Sequence, residues 1–207
     1  MYDIPYFKAA HPEEVLLFMQ AHPFALVCGA NEKGIPVATQ VPILFEQREE
    51  KLFLLGHFMK KQDHTNAFNQ NPNALVVFSG AHTYVSASWY EDKQTASTWN
   101  YQSVHASGKI QFQDGEFLLR LLTRLTETFE ETGSPSLVQK MDPDYIQQMM
   151  KAIVGFEMEV HSVRHVFKLS QNRDKKSYSN IISNLNMQDE DAREIARAMN
   201  ESNKNNA

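Results

Sequence analysis

The pattern of apolar and polar positions predicts strands over the first half of the chain. Between residues 24 and 112, short apolar runs rich in β-branched and aromatic residues are separated by polar turns, which is typical of strands joined by tight connections. The predicted strands cover residues 24–28, 41–45, 52–56, 74–78, 83–86 and 97–112. A short polar segment, 61–71, is predicted to be a helix that stops before Pro72.

Helical periodicity marks the other segments. A first helix is predicted to begin near Pro12, with Glu13 and Glu14 in its first turn, and to end before Pro23. Residues 117–129 place their apolar side chains on one face at helical spacing, and a shorter helix is predicted for 143–152. After residue 172 the chain is polar, predicted to be helical in two pieces, and ends in a tail, 202–207, with the composition of a disordered segment.

A long strand is predicted for residues 155–169, and its two halves differ in phase. The apolar positions are even-numbered in the first half and odd-numbered in the second: Phe156, Met158 and Val160, then Val163, Phe167 and Leu169. Because successive side chains of a strand point to opposite faces, a bulge near Ser162 would reconcile the two halves.

These elements predict an α+β fold: a small β-barrel with peripheral helices. The strands do not alternate with long helices, which argues against a doubly wound sheet, and no Gly-x-Gly-x-x-Gly or Walker motif is present. We predict a barrel domain with inserted helices over residues 1–172 and a helical C-terminal extension over 173–207.

Composition and charge narrow the functional classes. The chain has 25 acidic and 20 basic residues, a net charge of −5, so binding of nucleic acid through the whole surface, and direct DNA binding in particular, is not expected. No apolar run is long enough for a membrane helix, and the N-terminus has no secretory signal pattern. Cys28 is the only cysteine, which favours a reducing, cytoplasmic setting.

A pair of lysines suggests a phosphate site. Gly56 and His57 end an apolar run, Lys60 and Lys61 follow, and a short helix is predicted next. Fixed positive charge beside a helix N-terminus can bind a phosphate group. The alternative is a pair of solvated lysines in a surface turn.

An aromatic block suggests a second part of a ligand site. Both tryptophans and three of the seven tyrosines lie within residues 84–101, interleaved with hydroxyl side chains. Flat aromatic faces with short hydrogen-bonding groups suit a planar heterocycle. The alternative is a rim of aromatic residues that packs on a partner.

The remaining candidates are weaker. His161 and His165 have the spacing of a helical metal pair, but in a strand they lie roughly 13 Å apart, so no metal site is predicted. Cys28 lies in an apolar run and is interpreted as an inert thiol of the core. Residues 161–176 contain five basic residues and one acidic residue, a local charge of +4. Such a basic patch could bind nucleic acid or another phosphate-bearing ligand. The alternative is an ordinary solvated strand end.

An ordered set of motifs now becomes recognisable over residues 1 to about 185. The set includes Pro5-Tyr6-Phe7, His22-Pro23-Phe24-Ala25, Ala38-Thr39, Gly56-His57, Tyr84-Val85-Ser86, Ser88-Trp89-Tyr90, Thr98-Trp99-Asn100-Tyr101, Val104-His105-Ala106, Val154-Gly155-Phe156-Glu157 and Lys168-Leu169-Ser170-Gln171-Asn172-Arg173. Together they resemble the FMN-binding negative transcriptional regulators, the PaiB-like proteins.

The resemblance implies an FMN-binding split β-barrel, related to pyridoxamine-phosphate oxidases, that forms homodimers with FMN near the subunit interface. In this family pattern Lys60 and Lys61 would hold the phosphate, Thr39 and Gln40 would lie beside the flavin, and the aromatic block would border the ring. The complete set of candidate cofactor-binding residues is Thr39, Gln40, Gly56, His57, Lys60, Lys61, Tyr84, Ser86, Trp89, Trp99, Asn100 and His105. The chain departs from the usual pattern at Gln40, where histidine is common, at Met59, at Gln62-Asp63, and at Ala81 and Ala87.

Three functions follow as hypotheses. The first is an FMN-binding protein that regulates transcription through a regulatory protein partner or through the small basic patch in a dimer. The second is a flavin-dependent oxidoreductase acting on a small substrate, for which His57 and His105 are the nearest acid–base candidates. The third is a haem-binding split barrel with a histidine ligand.

Overall fold

Seven strands and six α-helices make up the structure, a computed structural model that describes residues 1–205 and the side chains of residues 1–203. In chain order they are α1 (Pro12–Ala21), β1 (Phe24–Ala30), β2 (Pro36–Pro42), β3 (Leu44–Arg48), β4 (Lys51–Met59), α2 (Asp63–Gln70), β5 (Asn73–Val85), β6 (Thr98–Phe112), α3 (Gly115–Phe129), α4 (Pro143–Met150), β7 (Ile153–Lys168), α5 (Lys175–Leu185) and α6 (Glu190–Asn205).

The strands form one sheet in the order β2-β1-β5-β6-β7-β4-β3. The pairs β1–β2, β1–β5, β3–β4 and β4–β7 are antiparallel, with Phe24 opposite Pro42 in the first pair and Phe53 opposite Glu159 in the last. Although β2 and β4 are not neighbours in this order, they contact each other, so the sheet curls. The predicted α+β class is therefore confirmed.

The chain divides into two compact units. Unit 1 contains residues 1–22 and 78–105 and the chain from Arg164 onward, and unit 2 contains residues 23–77 and 106–163. Strands β5, β6 and β7 each contribute residues to both units. The division does not follow the predicted boundary after residue 172, which stays a prediction.

The core of unit 2 includes a cluster between α3 and the strands β3 and β4. Leu121 and Leu125 of α3 pack with Leu44 and Leu55, and Phe53, Phe117 and Leu122 flank this cluster. Asp114 caps the helix, because its carboxylate accepts a 2.8 Å hydrogen bond from the backbone N–H of Phe117. The helix that periodicity predicted over residues 117–129 is thus confirmed and buries its apolar face on the sheet.

In unit 1, α5 and α6 pack against each other through buried apolar residues. Ile181 and Leu185 of α5 and Ile195 and Met199 of α6 are buried, each with no more than 1% of its surface exposed. The helix α6 continues to Asn205, so residues 202–205 are helical where the composition suggested disorder. Residues 206 and 207 of the predicted tail lie outside the described residues.

Tyr178 joins α5 to α6. Its hydroxyl donates a 2.6 Å hydrogen bond to the backbone carbonyl of Met199, and burial raises its pKa to about 12. Because a tyrosine in an unfolded chain ionises near pH 10, the folded state binds more protons between about pH 10 and 12. Stability should therefore fall as pH rises through that window.

The expected result is that the native protein loses stability relative to Tyr178→Phe between about pH 10 and 12, since the variant lacks the ionising hydroxyl. Urea unfolding of both proteins across this pH range checks the prediction. Parallel stability curves for the two proteins would show that Tyr178 ionises normally.

Several predicted strand limits differ from the structure. Residues 41–45 are divided between β2 and β3, and the two predicted strands at 74–78 and 83–86 are one strand, β5. In β7, Phe156 and Met158 are buried as predicted, residues 161–164 are all exposed, and Val166 and Phe167 are both buried. The predicted odd-numbered phase is therefore wrong at Val163, and the bulge near Ser162 stays a prediction.

Candidate functional site

The lysine pair lies in the turn that joins β4 to α2 in unit 2. Lys60 is fixed at its backbone, where its N–H donates a 2.8 Å hydrogen bond to the carbonyl of Ala152. Both lysine side chains are exposed, and the Lys60 ammonium lies 3.5 Å from the carbonyl oxygen of Met150. In the described part of the chain neither lysine has a carboxylate within 4.0 Å, so both charges are available to an anion.

The N-terminus of α2 adds less to an anion site than the sequence suggested. Asp63 occupies the first turn, and its carboxylate accepts a 2.8 Å hydrogen bond from the N–H of His64. A carboxylate at this position offsets the positive end of the helix dipole. Thr65 fixes the turn by donating a 2.8 Å hydrogen bond to the carbonyl of Met59. The lysines must therefore supply most of the attraction for a phosphate.

Gly56 and His57 lie on opposite faces of β4. Gly56 is buried beneath the ring of Phe156, and a Cβ at this position would approach that ring to 2.7 Å, so the glycine is required for packing. His57 stands opposite Gly155 on β7, and burial lowers its pKa. The Nδ1 atom of His57 is buried and has no hydrogen-bond partner within the described residues.

Thr39 and Gln40 lie on β2, at one end of the strand order, opposite Val27 and Leu26 of β1. Thr39 is half-buried and Gln40 is exposed. Since β2 contacts both β4 and α2, these two residues belong to a strand that borders the elements on either side of the lysine turn.

Unit 1 contains an exposed aromatic cluster, which we define as His82, Tyr84 and Trp99. The Trp99 ring lies 5.9 Å from the Tyr84 ring, edge to face, and 5.9 Å from the His82 ring. Trp99 is 52% exposed and Tyr84 is 48% exposed. Half-exposed rings of this kind can accept a planar ligand without unfolding any core packing.

Ser86 and Trp89 delimit a short helical turn after β5. The Ser86 hydroxyl accepts a 3.2 Å hydrogen bond from the N–H of Ser88. Trp89 is half-buried, and its carbonyl accepts a 3.1 Å hydrogen bond from the amide of Asn180 on α5. Among the described ring contacts, none joins Trp89 to the aromatic cluster.

Asn100 and His105 are held within unit 1. Asn100 is fully buried; its amide oxygen accepts a 3.1 Å hydrogen bond from Ser170, and its amide nitrogen lies 3.5 Å from the sulfur of Met199. Because Asn100 is fully buried, a cofactor could contact it directly only if the residues that cover it moved. His105 is half-buried, and burial, followed by the positive N-terminus and Arg164, lowers its pKa.

Sequence reasoning missed the role of Lys168, which it placed in a basic patch. Its ammonium donates a hydrogen bond to the hydroxyl of Thr98 and lies 5.8 Å from the ring centres of Tyr2 and Phe7. Burial, followed by the charge of Arg173, lowers its pKa. Together with the bond from Ser170 to Asn100, this contact holds the side chains of the residues on either side of Trp99.

Other basic residues of that segment are also engaged locally. The guanidinium of Arg173 lies 4.2 Å from the ring centre of Tyr90, and Lys176 forms a 2.8 Å ion pair with Glu91. Nε2 of His165 accepts a 2.9 Å hydrogen bond from the N–H of Ala9. These contacts favour a structural role for the patch over a continuous surface for nucleic acid.

Two observations concern the candidate metal ligands and the single cysteine. Among residues 1–203, no group of three or more His, Cys, Asp or Glu side chains is placed to hold a metal ion. Burial raises the pKa of the Cys28 thiol, which disfavours the reactive thiolate.

The fold and these residues define a split-barrel protein with an exposed cation pair and an exposed aromatic cluster. The family model described as "Putative FMN-binding domain" matches residues 1–162, and the chain belongs to this family. It is 35% identical over 201 residues to the Bacillus subtilis "Protease synthase and sporulation protein PAI 2", covering 96% of each chain. The predicted family is thus confirmed.

Solved structures confirm the split-barrel fold. The flavocytochrome Anf3 from Azotobacter vinelandii matches with a TM-score of 0.58 at 14% identity, covering 86% of this chain and 78% of its own. A FAD- and haem-binding protein from Mycobacterium smegmatis matches with a TM-score of 0.56 at 15% identity, covering 77% and 72%. As for membranes, none of the helices within residues 1–205 has the length and apolar character needed to span a bilayer.

Proposed function

We propose that this protein binds FMN and has a regulatory role in transcription. The observation that carries the proposal is the alignment with PAI 2 over 96% of both chains, within a family described by FMN binding. A match of this extent includes the segments around the lysine turn and the aromatic cluster alike.

Three features of the structure fit FMN. The two lysines of the β4–α2 turn offer positive charge that is exposed and not paired with a carboxylate in the described chain, as a phosphate requires. The aromatic cluster offers half-exposed rings to an isoalloxazine. The buried, unpartnered Nδ1 of His57 offers a hydrogen-bonding position that a polar ligand atom would satisfy.

The proposal gives each group a separate role. Lys60 and Lys61 of unit 2 hold the phosphate. Tyr84 and Trp99 of unit 1 are a separate candidate for contact with the ring system, tested on its own below. Thr39 and Gln40 border the flavin from β2, as the resemblance implies. When bound, FMN supplies one- or two-electron redox chemistry; the residues of this chain bind and orient it. Ser86, Trp89, Asn100 and His105 then act mainly by shaping the segments around the aromatic cluster.

The regulatory part of the proposal rests on charge as well as on similarity. A net charge of −5 and the local engagement of the basic patch favour action through a protein partner, or as a homodimer, over autonomous reading of DNA. Light scattering at micromolar concentration tests the homodimer, and a monomer would contradict it.

The cofactor is tested by adding FMN to purified apoprotein. The expected result is quenched flavin fluorescence at a stoichiometry near one per chain, with flavin bands in the visible spectrum of the complex. A Soret band after addition of haem, with no flavin binding, would instead support the haem alternative. Flavin turnover with a small oxidisable substrate would support the oxidoreductase alternative.

The aromatic role is tested by Trp99→Ala. Loss of one stacking ring should weaken FMN and riboflavin alike by about tenfold, because stacking on an aromatic side chain is worth roughly 1–3 kcal/mol. Phe129→Ala is the matched control, since Phe129 is a 56% exposed aromatic residue at the end of α3. Equal effects of the two variants on fluorescence quenching would remove Trp99 from the site.

A further inference from the structure

Unit 2 contains a cavity of about 790 Å³ between α3, α4 and the start of β7. Its apolar lining includes the buried Leu118, Val138 and Ile146, together with the more exposed Leu119, Met150 and Ile153. This volume falls within the range of small-molecule sites, which are mostly apolar with a few polar groups at fixed positions.

The helix α4, which forms one wall, is held by few apolar contacts. Ile146 is the buried residue of this eight-residue helix, and a helix of this length is not stable in water without tertiary packing. Met150 is only half-buried and faces the cavity. A ligand in the cavity would therefore supply apolar contacts that α4 lacks in the unliganded chain.

The charged groups around the cavity favour an anion. The two acidic residues are already engaged: Asp114 caps α3, and Glu116 forms a 2.8 Å ion pair with Arg120. Lys60 and Lys151 also line the cavity, and over the described residues neither ammonium has a carboxylate within 4.0 Å. The backbone N–H of Lys60 donates a hydrogen bond to the carbonyl of Ala152, the residue after Lys151. The backbones of the two lysines are therefore close to each other.

We propose that this cavity is a binding site for a small apolar carboxylate. The carboxylate lies at Lys151, because Lys60 is already assigned to the FMN phosphate, and the apolar body lies between α3 and α4. Such a ligand differs from FMN, whose phosphate carries two charges and whose ribityl chain is polar. Lys60 lines the cavity and is also assigned to the FMN phosphate, so the two proposed sites adjoin at this residue, while the carboxylate contact at Lys151 belongs to the cavity alone. Occupancy of the cavity controls how firmly α4 is held.

The test uses decanoate as the probe, titrated calorimetrically into the full-length protein. Decanoate should bind with 1:1 stoichiometry, and 1-decanol and decyltrimethylammonium should bind at least tenfold more weakly. Lys151→Ala should weaken decanoate about tenfold, whereas Lys109→Ala, which removes an exposed lysine of β6 outside the cavity, should not. Equal binding of the three probes, or equal effects of the two variants, would overturn the proposal.

Leu119→Trp tests the location. Leu119 lines the cavity and is 42% exposed, so a larger side chain can enter the cavity without replacing a buried residue. The variant should lose decanoate binding while keeping its thermal midpoint. In the native protein, decanoate should slow amide hydrogen exchange in residues 143–152. Retained binding in the variant, or unchanged exchange in that segment, would place the ligand elsewhere.

Two further outcomes decide against the proposal. If FMN displaces decanoate and Lys151→Ala weakens FMN equally, the cavity belongs to the flavin. If the native protein is a dimer that Leu119→Trp dissociates, and decanoate binds to neither form, a second copy of the chain covers the cavity. Decanoate binding that is unchanged by FMN, with FMN quenching unchanged in Lys151→Ala, supports a separate site.

Discussion

Leu121→Asp should reduce the free energy of unfolding by about 3–5 kcal/mol. Leu121 is 2% exposed and packs with Leu44, Leu55 and Leu125 between α3 and the sheet. The substitution removes a buried side chain, which alone costs about 2–5 kcal/mol for leucine to alanine, and it places an unpaired carboxylate among apolar groups. Because small proteins are stable by only about 5–15 kcal/mol, the loss would be a large part of the total.

Urea unfolding at neutral pH measures this effect, and Leu119→Asp is the matched control on the same helix. Leu119 is 42% exposed, so its carboxylate stays hydrated and the change should remain within about 0.5 kcal/mol. Leu122, which is half-buried beside the cluster, should give an intermediate loss. If Leu121→Asp does not fold, Leu121→Ala gives the milder comparison. Equal losses at positions 119 and 121 would mean that α3 packs through a different face.

The elements that the sequence predicted well are those with a strong local signal. The helix α3 has regular apolar spacing and a capping aspartate, and the strand β6 is a long run of β-forming residues. In both, the residues that determine the element are close in sequence. Tertiary contacts then reinforce the local preference instead of opposing it.

The errors in the strand limits have physical causes. Residues 79–82 of β5 separate two apolar runs and resemble a turn because they include Gly80. In the structure this glycine lies within the strand, where Phe18 and His22 come within 3.0 and 3.1 Å of a Cβ placed on it. A close approach by α1, far away in sequence, therefore explains the glycine, and local pattern alone could not show this.

The candidate site was predicted unevenly for the same reason. The lysine pair could be located because it follows the end of a strand, and the structure places it in the turn before α2. Asn100 looked like a ligand-binding residue because of its aromatic neighbours, yet its partners are Ser170 and Met199. Those partners lie 70 and 99 residues away, and the sequence offers no signal that pairs them.

The other large effect concerns the lysine pair, which should account for most of the preference for FMN over riboflavin. Replacing both Lys60 and Lys61 by Ala should weaken FMN by about 100-fold, since two charge-assisted hydrogen bonds at an exposed site are each worth roughly 1.5 kcal/mol. Lys61 should account for the larger share, because the Lys60 ammonium also lies beside the Met150 carbonyl at 3.5 Å. Riboflavin, which has no phosphate, should be nearly unaffected.

The control for this prediction is the double variant Lys33→Ala/Lys109→Ala, which removes the same charge from two other exposed lysines of unit 2. Fluorescence quenching by both proteins, at low and at physiological salt, separates a specific phosphate contact from a general electrostatic effect. The control should change FMN binding by less than about threefold. If FMN and riboflavin bind equally before and after the Lys60/Lys61 change, the phosphate is held elsewhere. In that case the exposed lysines only keep the β4–α2 turn solvated, and Asp63 at the start of α2 would be the reason that this turn does not attract a phosphate.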